Sequence, residues 1–203
     1  MPEPTRLTVR FETALTYAAW AHAGHPRKGT AIPYISHPLA VAALVMESGG
    51  DEDEIIAALL HDTAEDAGGK RRLADIRVRF GERVADIVDG CSDAYGQAGS
   101  GVEKPDWLPR KRKHLKHLEQ ATRSVLLVSA ADKLHNARAV LGDYRTMGER
   151  LWSRFKGGRE GTLWYYRKVT DLLIECFASP LTEDLERTVK ELEALVRRSG
   201  QSA

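Results

Sequence analysis

Apolar residues recur at three- and four-residue intervals along almost the whole chain, and no stretch alternates apolar with polar residues as a half-buried strand does. A chain patterned this way buries helix against helix, so the expected class is all-α, a bundle of about eight to ten helices. Its 203 residues suffice for one domain with a substantial core. We therefore expect a single domain over residues 1–203, its core running from about residue 11 to about 178, followed by an amphipathic helix over about 182–199. That last helix packs either on the core or on a second copy of the chain, which would make a homodimer.

Glycine, proline and capping residues divide the pattern. Helices are expected from Val9 to Gly24 and from Ser36 to Gly49, the second with Pro38 just inside its start. Asp51 can cap a third helix that continues to Gly68. Further helices are expected at Arg71–Phe80, Glu82–Cys91, Pro109–Ala121, Ser124–Leu141, Tyr144–Arg154, Gly161–Ala178 and Glu183–Arg198. The stretch DAYGQAGSGVEKPD, from Asp93, reads as a loop that could serve as a lid.

Composition removes several classes of function. Thirty Lys and Arg against 29 Asp and Glu leave a formal charge of +1, which speaks against wholesale nucleic-acid binding and against an acidic tail. Two cysteines, Cys91 and Cys176, are too few for a disulfide framework or a zinc knuckle; their apolar neighbours point to packing in a reducing compartment. The first residues, MPEPTRLTVRFE, contain no apolar signal core, and no window approaches the roughly 20 apolar residues that span a bilayer. A soluble, cytoplasmic protein is expected, without nucleic-acid or membrane partners.

Chemistry concentrates in three segments. In ALLHDTAEDAGG, an apolar run ends abruptly in His61, Asp62, Glu65 and Asp66. On a continuous helix, Glu65 and Asp66 would lie one turn beyond His61 and Asp62, giving two polar stripes at one helix end. Crowded carboxylates repel one another unless a cation or a substrate offsets the charge. In YISHPLAVA, His37 opens a helix anchored by Leu39, Val41, Ala42, Leu44 and Val45. In SVLLVSAADKLHNARAVL, Asp132 interrupts an apolar helix and Asn136 follows one turn later. Lys133 is not the expected partner of Asp132, because adjacent helical residues point about 100° apart; a metal or a residue on another helix is.

Each segment also has a plainer reading: a solvated helix end, a hydrogen-bonded histidine, an interhelical salt bridge. Together, His37, His61, Asp62 and Asp132 offer an N/O ligand set suited to Mn, Fe, Zn or Co; magnesium suits it less.

RKG..PYISHP, ALLHDTAED and ADKLHNAR, in this order, resemble the HD-domain alarmone hydrolases, in particular the small stand-alone enzymes that remove the 3′-pyrophosphate of (p)ppGpp. The resemblance covers roughly residues 11–173. It implies that His37, His61, Asp62 and Asp132 hold one divalent metal, Mn2+ in well-known members, and that Glu65 and Asp66 are the catalytic pair. Glu65 would orient or deprotonate the attacking water, and Asp66 would assist the leaving group.

The resemblance further implies a small-molecule nucleotide substrate. Arg27 would stack on its purine, Lys28 would face phosphate, Asn136 would bond to ribose or phosphate, and Tyr165 would lie near the nucleotide. Gly29 stands where some relatives have Ser. In the basic run PRKRKHLKHL, a solvated face is the default, but Lys111 shares a stripe with Leu108, Leu115 and Leu118 and is expected to reach the phosphates. No length remains for a synthetase domain, so only degradation of the alarmone, in a bacterial stringent response, is implied. Related substrates, (p)ppApp or NADPH, and a non-catalytic alarmone sensor are the rival readings.

Overall fold

A computed structural model describes residues 5–66, 68–93 and 106–201, with the side chains of 65, 66 and 201 excepted. Thr8 caps α1 (Val9–Ala21) by accepting a hydrogen bond from the Arg10 amide. α2 (Ser36–Glu47) is followed by α3 (Glu52–Leu60), which opens with a reciprocal capping box between Asp51 and Glu54. Next come α4 (Thr63–Asp66), α5 (Gly69–Phe80), α6 (Glu82–Cys91), α7 (Trp107–Leu118) and α8 (Arg123–Met147). A 3-10 helix (Gly148–Arg154), α9 (Gly158–Cys176) and α10 (Pro180–Gln201) complete the order. There is no strand among the described residues; a lone bridge between Pro26 and Pro33 closes the loop that carries Arg27, Lys28 and Gly29.

Two helices organise the core. In α3, Ile55, Ile56, Ala57, Ala58, Leu59 and Leu60 are all fully buried, because α1, α2, α6 and α8 surround it. α8 packs against α2, α3, α6, α9 and α10, so a polar residue on its buried side faces several elements at once. α10 lays Leu181, Leu185, Val189, Leu192 and Val196 against α8 and α9. Its apolar face is therefore spent within the chain. No helix among the described residues is long and apolar enough to cross a membrane.

Several boundaries differ from expectation. The third helix does not run through to Gly68: it stops at Leu60, and His61 and Asp62 occupy a turn before α4. α8 does not end at Leu141 but passes through Gly142 to Met147; a helical glycine costs about 1 kcal/mol, which the burial of Leu141 and Tyr144 outweighs. The segment expected as the helix Tyr144–Arg154 is thus divided between α8 and the 3-10 helix. Leu39 does not anchor α2, being 42% exposed. Cys176 is exposed rather than packed, whereas Cys91 is half-buried and burial pushes its thiol up to about 11. Most of the expected lid, residues 94–105, lies outside the described residues.

Candidate metal centre and substrate pocket

His37 sits in the first turn of α2 and Asp132 in the middle of α8, both buried. The break after α3 supplies the other two groups. In the turn, the Asp62 Oδ2 lies 3.2 Å from the His61 Nε2. The same oxygen is 3.3 Å from the Nε2 of His37. Asp132 Oδ1 is 3.1 Å from His37 Nε2 and 3.8 Å from His61 Nε2, and the two Nε2 atoms are 3.3 Å apart. The ligand atoms of His37, His61 and Asp132 all fall within 4.8 Å of one another. Two imidazole nitrogens and two carboxylate oxygens thus converge from α2, the α3–α4 turn and α8.

Neighbours fix each donor. The His61 Nδ1 is 2.7 Å from the Ala58 carbonyl, which orients the ring so that Nε2 faces the cluster. Tyr34 donates its hydroxyl to Asp62 Oδ2 at 2.6 Å. Asn136 donates to Asp132 Oδ1 at 2.5 Å, and Lys133 to Asp132 Oδ2 at 2.5 Å. The expectation that Lys133 cannot pair with Asp132 is therefore overturned. Cβ directions differ by about 100° between adjacent residues, but a four-carbon stem curves back far enough to close the pair.

Electrostatics follow from burial and these pairings. Burial would raise both Asp62 and Asp132, yet neighbouring groups outweigh it and hold both carboxyls well below the usual range: the His61 charge and hydrogen bonds from His37 and His61 for Asp62, the Lys133 charge and then hydrogen bonds from the same two histidines for Asp132. His61 and Lys133 are held well above their ordinary values against burial, His61 by Asp62 and Asp132, Lys133 by Asp132. A cluster so rich in anionic oxygen and imidazole nitrogen fits a divalent cation of borderline softness.

Beside the cluster opens a cavity of about 520 Å3. Tyr34, Lys133 and Asn136, each bonded to a carboxylate of the cluster, form the shared wall. Six of its lining residues are Lys or Arg and one, Asp143, is acidic. Asp93 pairs with Arg110 and Lys111, and Asp132 with Lys133, so part of that charge is met within the chain; the remaining excess of cations suits an anion.

The expected substrate residues meet here. Arg27 donates to Asn136 Oδ1 at 2.8 Å and lies 6.0 Å from the centre of the Tyr34 ring. Lys28 stands over Phe155, at 5.9 Å. Lys111 lines the cavity 4.4 Å from the Tyr165 ring centre and is bonded to Asp93 at 2.6 Å, so its charge is shared with a half-buried acid. Tyr165 is buried in the wall, as is Tyr166, while Trp164 turns away toward α10. The backbone of Glu65 and Asp66 belongs to α4, but their side chains lie outside the described residues. Sequence reasoning missed Lys133, Arg110 and Lys156 as cavity cations, and Tyr34 as a partner of Asp62. The density of Lys and Arg around Arg110 and Lys156 hinted at those two, whereas Lys133 stands in an apolar run.

Among known protein families, the HD domain matches residues 14–163. The chain belongs to the HD domain family. Within it, the chain is similar to a guanosine-3′,5′-bis(diphosphate) 3′-pyrophosphohydrolase of Aquifex aeolicus, 37% identical over 130 residues, which cover 64% of this chain and 18% of that protein. It is also 36% identical over 128 residues to the guanosine-3′,5′-bis(diphosphate) 3′-pyrophosphohydrolase MESH1 of Xenopus tropicalis, covering 62% of this chain and 66% of the relative. The chain thus spans under a fifth of the first relative and about two thirds of the second. Among solved structures, it superimposes on a metazoan orthologue of SpoT that hydrolyses ppGpp, with a TM-score of 0.74 and 26% identity, covering 92% of this chain and 97% of the other.

Proposed function

We propose that this HD domain hydrolyses the 3′-pyrophosphate of guanosine alarmones, (p)ppGpp, to GDP or GTP and pyrophosphate, using one divalent ion, Mn2+, held by His37, His61, Asp62 and Asp132. The carrying observation is the buried cluster of two imidazoles and two carboxylates sharing a wall with a cavity lined by six cations. The named activities of the Aquifex and Xenopus relatives and of the SpoT orthologue support the choice of substrate.

When bound, the ion supplies Lewis acidity toward the 3′ phosphate and its attacking water. The chain's own groups do the rest. Arg27 and Lys28 bring two cations to one end of the cavity, and Arg110, Lys111 and Lys133 bring three more, matching a substrate phosphorylated at both 3′ and 5′ positions. Asn136 bridges Arg27 and Asp132, tying the substrate loop to the metal site. Glu65 takes the water proton as the water oxygen bonds to phosphorus and the bond to the 3′ oxygen breaks; Asp66, in its protonated form, gives its proton to that departing oxygen. The 3′ hydroxyl stays on the ribose.

Two variants divide these roles. With Mn2+ and ppGpp, Asp62→Ala is expected to lose bound metal and pyrophosphate release together. Glu65→Ala is expected to keep the metal and lose turnover by about 10²–10⁴-fold. Metal content measured alongside pyrophosphate decides it: full turnover in either variant contradicts the assignment.

A further inference from the structure

His135 stands outside the four proposed ligands and lies one turn beyond Asp132 on the same face of α8. Its Nδ1 is 2.8 Å from the Nδ1 of His37, the ring centres being 4.9 Å apart. The other nitrogen of His37, Nε2, faces His61, Asp62 and Asp132. Two ring nitrogens bond to each other only if one carries hydrogen and the other a lone pair. For Nε2 of His37 to present a lone pair to a cation, the hydrogen of a neutral ring must sit on Nδ1. His37 is then the donor and His135 the acceptor.

We infer that His135 is a positioning residue of the metal centre: as acceptor for the His37 Nδ1–H, it selects the tautomer and holds the ring plane that turn Nε2 toward the ion. The inference rests on reading the cluster as a metal site. His135 is the sole hydrogen-bond partner of the His37 Nδ1 among the described residues, so no second acceptor takes over when it is removed. His61 is served differently, by the main-chain carbonyl of Ala58 in the preceding helix, α3. A main-chain acceptor survives any side-chain substitution. The support of His37 does not.

Groups that orient a metal-binding histidine typically contribute 10–100-fold in metal affinity. Calorimetric titration of metal-free full-length protein with Mn2+ reads this without turnover. We expect His135→Phe, which keeps a ring but no acceptor, to weaken binding by about 10–100-fold. His135→Gln, whose amide oxygen can accept, should recover most of it. The metal-free melting temperature of both should stay close to wild type, and kcat for ppGpp at saturating Mn2+ should largely return in His135→Phe. If the Phe ring prevents folding, His135→Ala makes the same comparison.

Wild-type affinity in His135→Phe, or equal losses in the Phe and Gln variants, overturns the inference while leaving the metal site standing. A wild-type protein that takes up no Mn2+ removes the metal reading itself, and the inference with it.

Discussion

At the scale of single residues, Lys133 changes the account most. It is half-buried, bonded to Asp132 on one side and lining the cavity on the other, so it couples a proposed metal ligand to the proposed substrate cavity. Lys133→Met should lower kcat/KM for ppGpp by about two orders of magnitude. It should also depress the melting temperature of the metal-free protein, since removing one partner of a buried ion pair leaves the other uncompensated. Unchanged kinetics would remove Lys133 from the machinery.

His114 offers a test of a different kind. It is 3% exposed, and neither ring nitrogen has a hydrogen-bond partner among the described residues. Burial, reinforced by Lys133, lowers its pKa to about 3 from an ordinary value near 6.5. The unfolded chain therefore takes up a proton below about pH 6.5 while the folded protein does not. Stability from this group is complete above that pH and is lost as pH falls toward about 3. Between about pH 7.5 and pH 5, denaturant unfolding should show wild type losing about 2 kcal/mol more than His114→Leu. Parallel pH profiles would contradict the neutral, buried state.

What was legible at this scale is that His61, Asp62 and Asp132 stand apart from their apolar surroundings, since His61 and Asp62 adjoin in sequence and Asp132 breaks an apolar run. His135 and Tyr34 were not, because each acts only across a contact between elements. The apparent angle between Asp132 and Lys133 misled because helical geometry orients Cβ and says little about a long stem.

At the scale of elements, two short interruptions matter more than the helices around them. The stop at Leu60 places His61 and Asp62 in the turn before α4, where His61 Nε2 and Asp62 Oδ2 lie 3.2 Å apart. The second interruption is the loop carrying Arg27 and Lys28. Gly29 has φ +71°, and a Cβ there would meet Arg154 Nε at 2.7 Å and Cδ at 2.9 Å. Arg154 is held in that place by Asp143 at 2.9 Å, so the end of the 3-10 helix presses on the loop.

Gly29→Ser should therefore both strain the backbone and displace Arg154, raising KM for ppGpp roughly tenfold with a smaller effect on kcat. Adding Arg154→Ala should recover part of the loss. Strictly additive effects on KM would mean that the arginine does not bear on the loop. The glycine stops were legible as breaks, but nothing in the local pattern reveals that an arginine 125 positions away fills the space of a missing side chain. Gly142 misled in the opposite direction: as a residue it predicts a break, yet α8 continues because the residues around it are buried.

At the scale of the whole molecule, the all-α class was readable because helical periodicity is a property of nearly every segment. The packing of α10 on α8 and α9 was readable only as one of two options, since an amphipathic face does not state what covers it. The cavity was the least legible feature: its cations come from the Arg27 loop, α7, α8 and the segment after the 3-10 helix, and a net charge of +1 conceals their convergence. That convergence, beside two imidazoles and two carboxylates, is the basis for proposing a doubly phosphorylated nucleotide as substrate.

The most direct test is to identify the products of ppGpp incubated with metal-stripped and with Mn2+-loaded protein, by anion exchange and phosphorus NMR. The account predicts GDP and pyrophosphate in equal amounts from the loaded protein and intact ppGpp from the stripped one. Orthophosphate as the released product, or unchanged ppGpp under a loaded protein that cleaves NADPH instead, would contradict it.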